Sequence, residues 1–196
     1  MIHARGLGRR FGEKRVLSGV DLDVGVGEFL LVTGPNGSGK TTLLRLLAGL
    51  IVPTAGKLEV RTNRARIGFL GHEPLVYREL TPLENLDLYG RLYRITERRE
   101  RIGMLLERFG LWEARREQTG ALSRGMLQRL ALCRTLLHEP ELLLCDEPFS
   151  ALDAGGAELL LDELSRRDAR RTIVVSSHQP ERLADRATTR LSLVKA

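Results

Sequence analysis

The chain has 196 residues, 42 % hydrophobic and 29 % charged, with a formal net charge of +6. That length and balance point to one ordinary globular domain with its own core and exclude a disordered or fibrous chain. No apolar run approaches the roughly 18–20 residues that cross a bilayer, and Met1–Arg5 reads as no secretory leader. The expected setting is therefore cytoplasmic; Cys133 and Cys145 form no metal pattern, and Cys145, inside an apolar strand, reads as a buried reduced thiol. Only four of the 31 basic residues are lysines, and clusters such as Arg98-Arg99 sit among acids on helical stretches. They read as solvated faces; with no recognition motif, no nucleic-acid partner is expected.

Along the chain, Ile2–Leu7, Arg15–Leu22 and Glu28–Val32 are short, glycine-bounded and predicted as strands. After a Gly-rich turn, Leu43, Leu44, Leu46 and Leu47 repeat at helical spacing. Leu58–Val60 and Arg66–Leu70 return to strand. From Pro82 to about His138 the pattern is helical, over Leu83–Leu92, Glu97–Phe109 and Ser123–Leu137. A strand at Glu141–Cys145, a helix at Ala154–Leu164 and strands at Thr172–Ser176 and Thr189–Val194 complete the chain. Strands alternating with helices predict an α/β core with a mostly parallel sheet. The early strands form an added antiparallel piece. The expected organisation is one domain, 1–196, with a nucleotide-binding core over 1–72 and 140–196 and a helical insert over 73–139.

The turn itself is the most informative stretch. Gly34-Pro35-Asn36-Gly37-Ser38-Gly39-Lys40-Thr41-Thr42 fits G-x-x-x-x-G-K-[ST] between an apolar strand and a helix. Glycines let successive backbone N–H groups turn inward to cradle phosphates, and the helix N-terminus adds positive partial charge. Lys40 is expected on the β/γ-phosphates and the Thr41 hydroxyl on Mg²⁺. The implied ligands are ATP and Mg²⁺.

Leu142–Cys145 is an apolar strand ending in Asp146 and Glu147. Ligands bind at the carboxyl ends of such strands. Asp146 there suits a metal-holding carboxylate, and Glu147 is placed to act as general base on a water. Leu122-Ser123-Arg124-Gly125-Met126 then opens a helix whose N-terminus suits a γ-phosphate; a plain Ser N-cap is the simpler reading of those residues alone.

With these residues the sequence resembles the ATP-binding subunits of ABC transporters, whose signature is L-S-G-G-Q. The resemblance implies that Ser123, Arg124, Gly125 and Met126 meet ATP held by a second copy of the chain in a dimer. It implies that Ser150 and Asp153, in Ser150-Ala151-Leu152-Asp153, form the D-loop. It makes His178 the switch histidine at the γ-phosphate and Phe11 the aromatic that stacks on adenine. The fold implied is the ABC ATPase fold: a RecA-like P-loop core with an inserted helical subdomain. The partner implied is a membrane permease, which places the chain peripherally on the cytoplasmic face of the membrane as an ATP hydrolase.

Two departures stand out. The Q-loop glutamine position holds His72, which leaves its place on Mg²⁺ open, and the signature carries Arg124 and Met126. The run Gly71-His72-Glu73-Pro74, followed by Glu79-Leu80-Thr81-Pro82-Leu83-Glu84-Asn85-Leu86, is similar to that of CcmA-type subunits, the ATPases of haem exporters in c-type cytochrome biogenesis. Their permease is CcmB-like. ATPases of ABC-2-type drug, lipid or polysaccharide exporters share the second segment and are the alternative. A soluble ABC ATPase acting on nucleic acid is a further one, against which stand the single P-loop and the lack of sustained heptads.

Overall fold

The computed structural model describes residues 1–166 and 170–195. Strands β1 (Ile2–Phe11) and β2 (Lys14–Val24) form an antiparallel hairpin, and β4 (Ala55–Val60) pairs antiparallel on the other side of β1. β1 runs past the predicted Leu7 because Arg9, Arg10 and Phe11 keep pairing with Leu17, Arg15 and Lys14 across register shifts.

The main sheet has five strands in the order β5 (Ile67–Leu70), β6 (Leu142–Asp146), β7 (Thr172–Ser176), β3 (Phe29–Thr33), β8 (Thr189–Ser192). The pairs β6–β7, β7–β3 and β3–β8 are parallel. Every residue of β6 and β7 is buried. Their unbroken apolar character is what a parallel strand covered on both faces requires. Helix α1 (Lys40–Leu47) packs against β6 and β7 through Leu43, Leu44, Leu46 and Leu47. Each such side chain contributes about 1.5–3 kcal/mol by leaving water. The expected α/β class, with a parallel sheet and a small antiparallel one, is what the chain forms.

The chain divides into two compact units: Met1–Phe69, Glu141–Pro148 and Arg167–Ala196 make the first, Leu70–Pro140 and Phe149–Arg166 the second. The first holds most of the sheet framework. The second holds α2 (Pro82–Leu92), α3 (Arg98–Arg108), α4 (Arg124–Leu136) and α5 (Ala154–Ser165).

Local chemistry sets the helix ends of the second unit. Thr81 caps α2: its Oγ1 accepts from the Glu84 N–H, while the Glu84 carboxylate accepts from the Thr81 N–H at 2.8 Å, with Pro82 in the first turn. The buried Asn85 staples the preceding loop. Its Oδ1 accepts from the Tyr77 N–H at 2.8 Å, and its amide donates to Tyr77 O, Thr81 O and Thr119 Oγ1 at 2.9, 3.1 and 3.1 Å. At the other end of the helical layer, the Arg101 guanidinium covers the last carbonyls of α4, Leu136 O and Leu137 O.

Candidate active site

The site is built at the carboxyl ends of β3, β6 and β7. After Thr33 the chain turns through Gly34–Gly39 into α1, with φ of +144° at Gly34, +80° at Gly37 and +98° at Gly39. A Cβ on Gly39 would lie 2.6 Å from Leu17 Cδ2 and 2.9 Å from Val16 O, so the loop lies against β2 where only glycine fits. No side chain caps α1 and no acid occupies its first turn. Its first N–H groups therefore lack intrahelical partners, an arrangement that favours an anion. Ser38 Oγ is buried with no hydrogen-bond partner among the described residues. The Lys40 side chain folds over the loop, its Nζ donating to Gly34 O at 2.8 Å. Thr41 and Thr42 follow in the first turn, both half-buried.

Asp146 ends β6 directly opposite Ser176 of β7. Its Oδ1 accepts from Ser176 Oγ at 2.7 Å. Asp146 is 1 % exposed, and no cation pairs with it among the described residues. A buried carboxylate held by one hydroxyl is the kind of donor that takes a metal. The residues present thus fit Mg²⁺.

Glu147 adopts φ +49°, the left-handed region that costs a non-glycine residue of order 1–3 kcal/mol. Its N–H is held by Ser176 O and Oγ at 3.2 and 3.0 Å, which offsets the strain. The turn aims the carboxylate at two donors. Oε2 lies 2.6 Å from His178 Nδ1 and accepts from the His178 N–H at 3.0 Å; Oε1 is 3.3 Å from Lys40 Nζ. Burial raises the Glu147 carboxyl, but the His178 ring and N–H and the Lys40 ammonium outweigh it, so the group sits below the usual glutamate range. Lys40, Asp146, Glu147, Ser176 and His178 thus form one contiguous cluster. Phe11 ends β1 in the same unit, 47 % exposed.

The remaining predicted residues lie in the second unit. Ser123 is the N-cap of α4, its Oγ accepting from the Met126 N–H at 3.2 Å. Ser123 and Arg124 are exposed, Gly125 and Met126 half-buried. Asp153 caps α5, accepting from the Gly156 N–H at 2.8 Å, and lies 3.6 Å from where a Gly125 Cβ would stand. Arg129, one turn along α4, donates to Phe109 O at 3.1 Å and approaches Asp153 Oδ2 at 3.9 Å. The N-terminal turns of α4 and α5 are therefore in contact. Ser150 and His72 are exposed.

Sequence reasoning gave no structural role to Ser176, Asn85 or Arg129. Ser176 was legible in principle: it ends the apolar strand two residues before His178, and polar residues on adjacent parallel strand ends face one site.

The ABC transporter family model matches residues 17–150. The chain belongs to the ABC transporter ATP-binding family. It is 39 % identical over 97 % of its length to a daunorubicin resistance ATP-binding protein of Streptomyces coeruleorubidus, covering 64 % of that protein. It is 37 % identical over 94 % of its length to the Nod factor export ATP-binding protein I of Rhizobium sp. (strain N33), covering 66 % of it. The chain thus spans less than two thirds of the length of these relatives. Among solved structures, it matches a dimeric post-hydrolysis state of an ATP-binding cassette bound to ADP and Pi, with TM-score 0.84, 29 % identity, and 98 % and 94 % of the two chains covered. Among the described residues no helix is long and apolar enough to cross a membrane.

Proposed function

We propose that this chain is the ATP-hydrolysing subunit of an ABC transporter that powers export. The observation that carries the reading is the Lys40–Glu147–His178 constellation beside the Asp146–Ser176 pair, at the mouth of an uncapped helix. The open N–H groups of the Gly34–Gly39 turn and the Lys40 ammonium bind the polyphosphate. Thr41 and Asp146 are the residues that would hold Mg²⁺, which when bound spreads the charge of the β- and γ-phosphates; His72 is a further candidate. Glu147 takes a proton from a water as that water's oxygen bonds to the γ-phosphorus, and the bond to the β-bridging oxygen breaks to leave ADP. Glu147 is ionised at neutral pH, and the His178 N–H and ring hold its carboxylate in place. The family resemblance gives His178 the γ-phosphate contact.

In this reading Ser123, Arg124, Gly125 and Met126 act on ATP held by a second copy, with Ser150 and Asp153 lining the same interface. The dimeric neighbour bound to ADP and Pi supports that assembly. Closure of the dimer would move a permease at the cytoplasmic face of the membrane, docked on the second unit near His72–Arg78. Tyr77 and Leu75 there are half exposed, and Asn85 fixes their loop.

The cargo has two readings. The Gly71-His72-Glu73-Pro74 run and the segment after it support a CcmA-like haem exporter with a CcmB-like permease. In the structure, however, the Thr81-x-x-Glu84-Asn85 part of that segment is a capping box and a loop staple. It reads as scaffold. The daunorubicin resistance and Nod factor export relatives support an ABC-2-type exporter of a drug, lipid or polysaccharide. Affinity capture of the tagged protein from gently solubilised native membranes, with mass spectrometry, separates them. A haem-exporter permease with cytochrome-maturation proteins establishes the first, a different permease the second. Capture of no membrane protein contradicts the transporter reading.

A further inference from the structure

Phe11 is not a free ring at the tip of a hairpin. The Arg9 guanidinium carbon lies 4.6 Å from the centre of its ring, on one face. Arg9 and Phe11 are two residues apart on β1, so their side chains leave the same face of the strand. The guanidinium is itself tethered. It donates through Nη1 to Val52 O at 2.8 Å, and its Nε is buried with no partner among the described residues. The strand beneath is anchored at the same place: the Arg10 N–H donates to Thr54 Oγ1 at 3.0 Å, and the Thr54 N–H donates to Gly8 O at 2.9 Å. Phe11 nonetheless remains 47 % exposed, which leaves ring surface for a further partner. The hairpin carrying it also presses on the phosphate loop, since Val16 O and Leu17 Cδ2 are the atoms that exclude a side chain at Gly39.

We propose that Arg9 is the positioning residue of a base-stacking platform: it clamps one face of Phe11 so that the adenine of ATP stacks on the other. The inference rests on the reading of Phe11 as the adenine-stacking aromatic. An unsupported phenylalanine on a hairpin end samples several side-chain rotamers and must be immobilised when a base stacks on it. A cation held by a backbone carbonyl removes that freedom beforehand. The contacts of the Arg9 guanidinium are the Phe11 ring and Val52 O, so its contribution belongs to the base.

The test compares two ligands with the same polyphosphate chemistry, MgATP and magnesium tripolyphosphate, by titration calorimetry on the whole protein. Phe11→Ala should weaken ATP and leave tripolyphosphate unchanged. Arg9→Met, which keeps an unbranched apolar stem but removes the charge, should weaken ATP by ~2- to 5-fold, the value of one partly exposed cation–π contact, again with tripolyphosphate unchanged. Arg9→Lys should recover part of the loss. If Phe11→Ala weakens ATP and Arg9→Met does not, the positioning role is wrong while the stacking reading stands. Equal weakening of both ligands by Arg9→Met makes the residue a general support of the loop and overturns the proposal. Unchanged ATP affinity in Phe11→Ala overturns the stacking reading, and this inference with it.

Discussion

The two units hold their functional groups by different means. In the first, Lys40, Asp146, Glu147 and His178 come from three strand ends, and their positions are over-determined. Strand register places Asp146 opposite Ser176, one hydroxyl serves two neighbours, and Glu147 is locked at a left-handed φ between Lys40 and His178. In the second, Ser123 and Asp153 are held as N-caps of α4 and α5, with Arg129 approaching Asp153, while Ser123, Arg124 and Ser150 stay exposed. Groups that do chemistry on a small molecule need sub-ångström placement from a rigid sheet. Groups that meet a ligand carried by another copy need to be reachable. In the proposed function, the first unit carries the groups that act on the bound ATP and the second carries those that meet a second copy's ATP.

Breaking the first unit should therefore abolish turnover and leave assembly intact. Glu147→Gln keeps size and the hydrogen-bond geometry to His178 but removes the proton acceptor. Phosphate release should fall by ~10²- to 10⁴-fold with ATP affinity retained; wild-type turnover would sink the assignment.

Scaffold substitutions should show smaller and more local effects. Asn85→Ala leaves the Tyr77 backbone groups without partners, at about 1–3 kcal/mol. Hydrogen exchange over residues 75–81 should quicken while the first unit keeps its protection; unchanged exchange there would deny Asn85 its role. Ser176→Ala removes the partner of Asp146 and one acceptor for the Glu147 N–H. It should cost about 1–3 kcal/mol and lower Tm by roughly 2–4 °C per kcal/mol. It should also reduce turnover, because the Glu147 N–H would keep only the Ser176 carbonyl and the turn would loosen. A variant that melts lower with full activity would make Ser176 purely structural.

The smallest effect is on pH. The Glu147 pKa is depressed on folding, so its contribution to stability is complete above the ordinary glutamate range and is lost as pH falls through the lowered value. Urea midpoints measured from neutral pH into acid should fall more steeply for the wild type than for Glu147→Gln. Parallel curves would show that the carboxylate is not selectively stabilised.

The sheet was legible because β6 and β7 are fully buried and so spell uninterrupted apolar runs, and the P-loop because its glycines have no substitute. Asp146 and Glu147 were legible as acids ending such a run. What escaped was pairwise: Ser176 matters only through its neighbour across the sheet, and Arg129 only through Phe109 O and Asp153. A single sequence carries no record of which residues face each other. The Glu84-Asn85 pair was seen as a family mark, whereas its chemistry is a cap and a staple. A motif can name relatives through residues that serve only the fold.

The most direct test of a site split between two copies starts from Glu147→Gln, which should hold ATP without turning it over. Light scattering with and without MgATP should show this variant passing from monomer to dimer. Adding Ser123→Arg should leave ATP affinity unchanged and keep the protein monomeric. A double variant that still dimerises, or one that loses nucleotide affinity as a monomer, would contradict the role of Ser123 on the second copy's ATP.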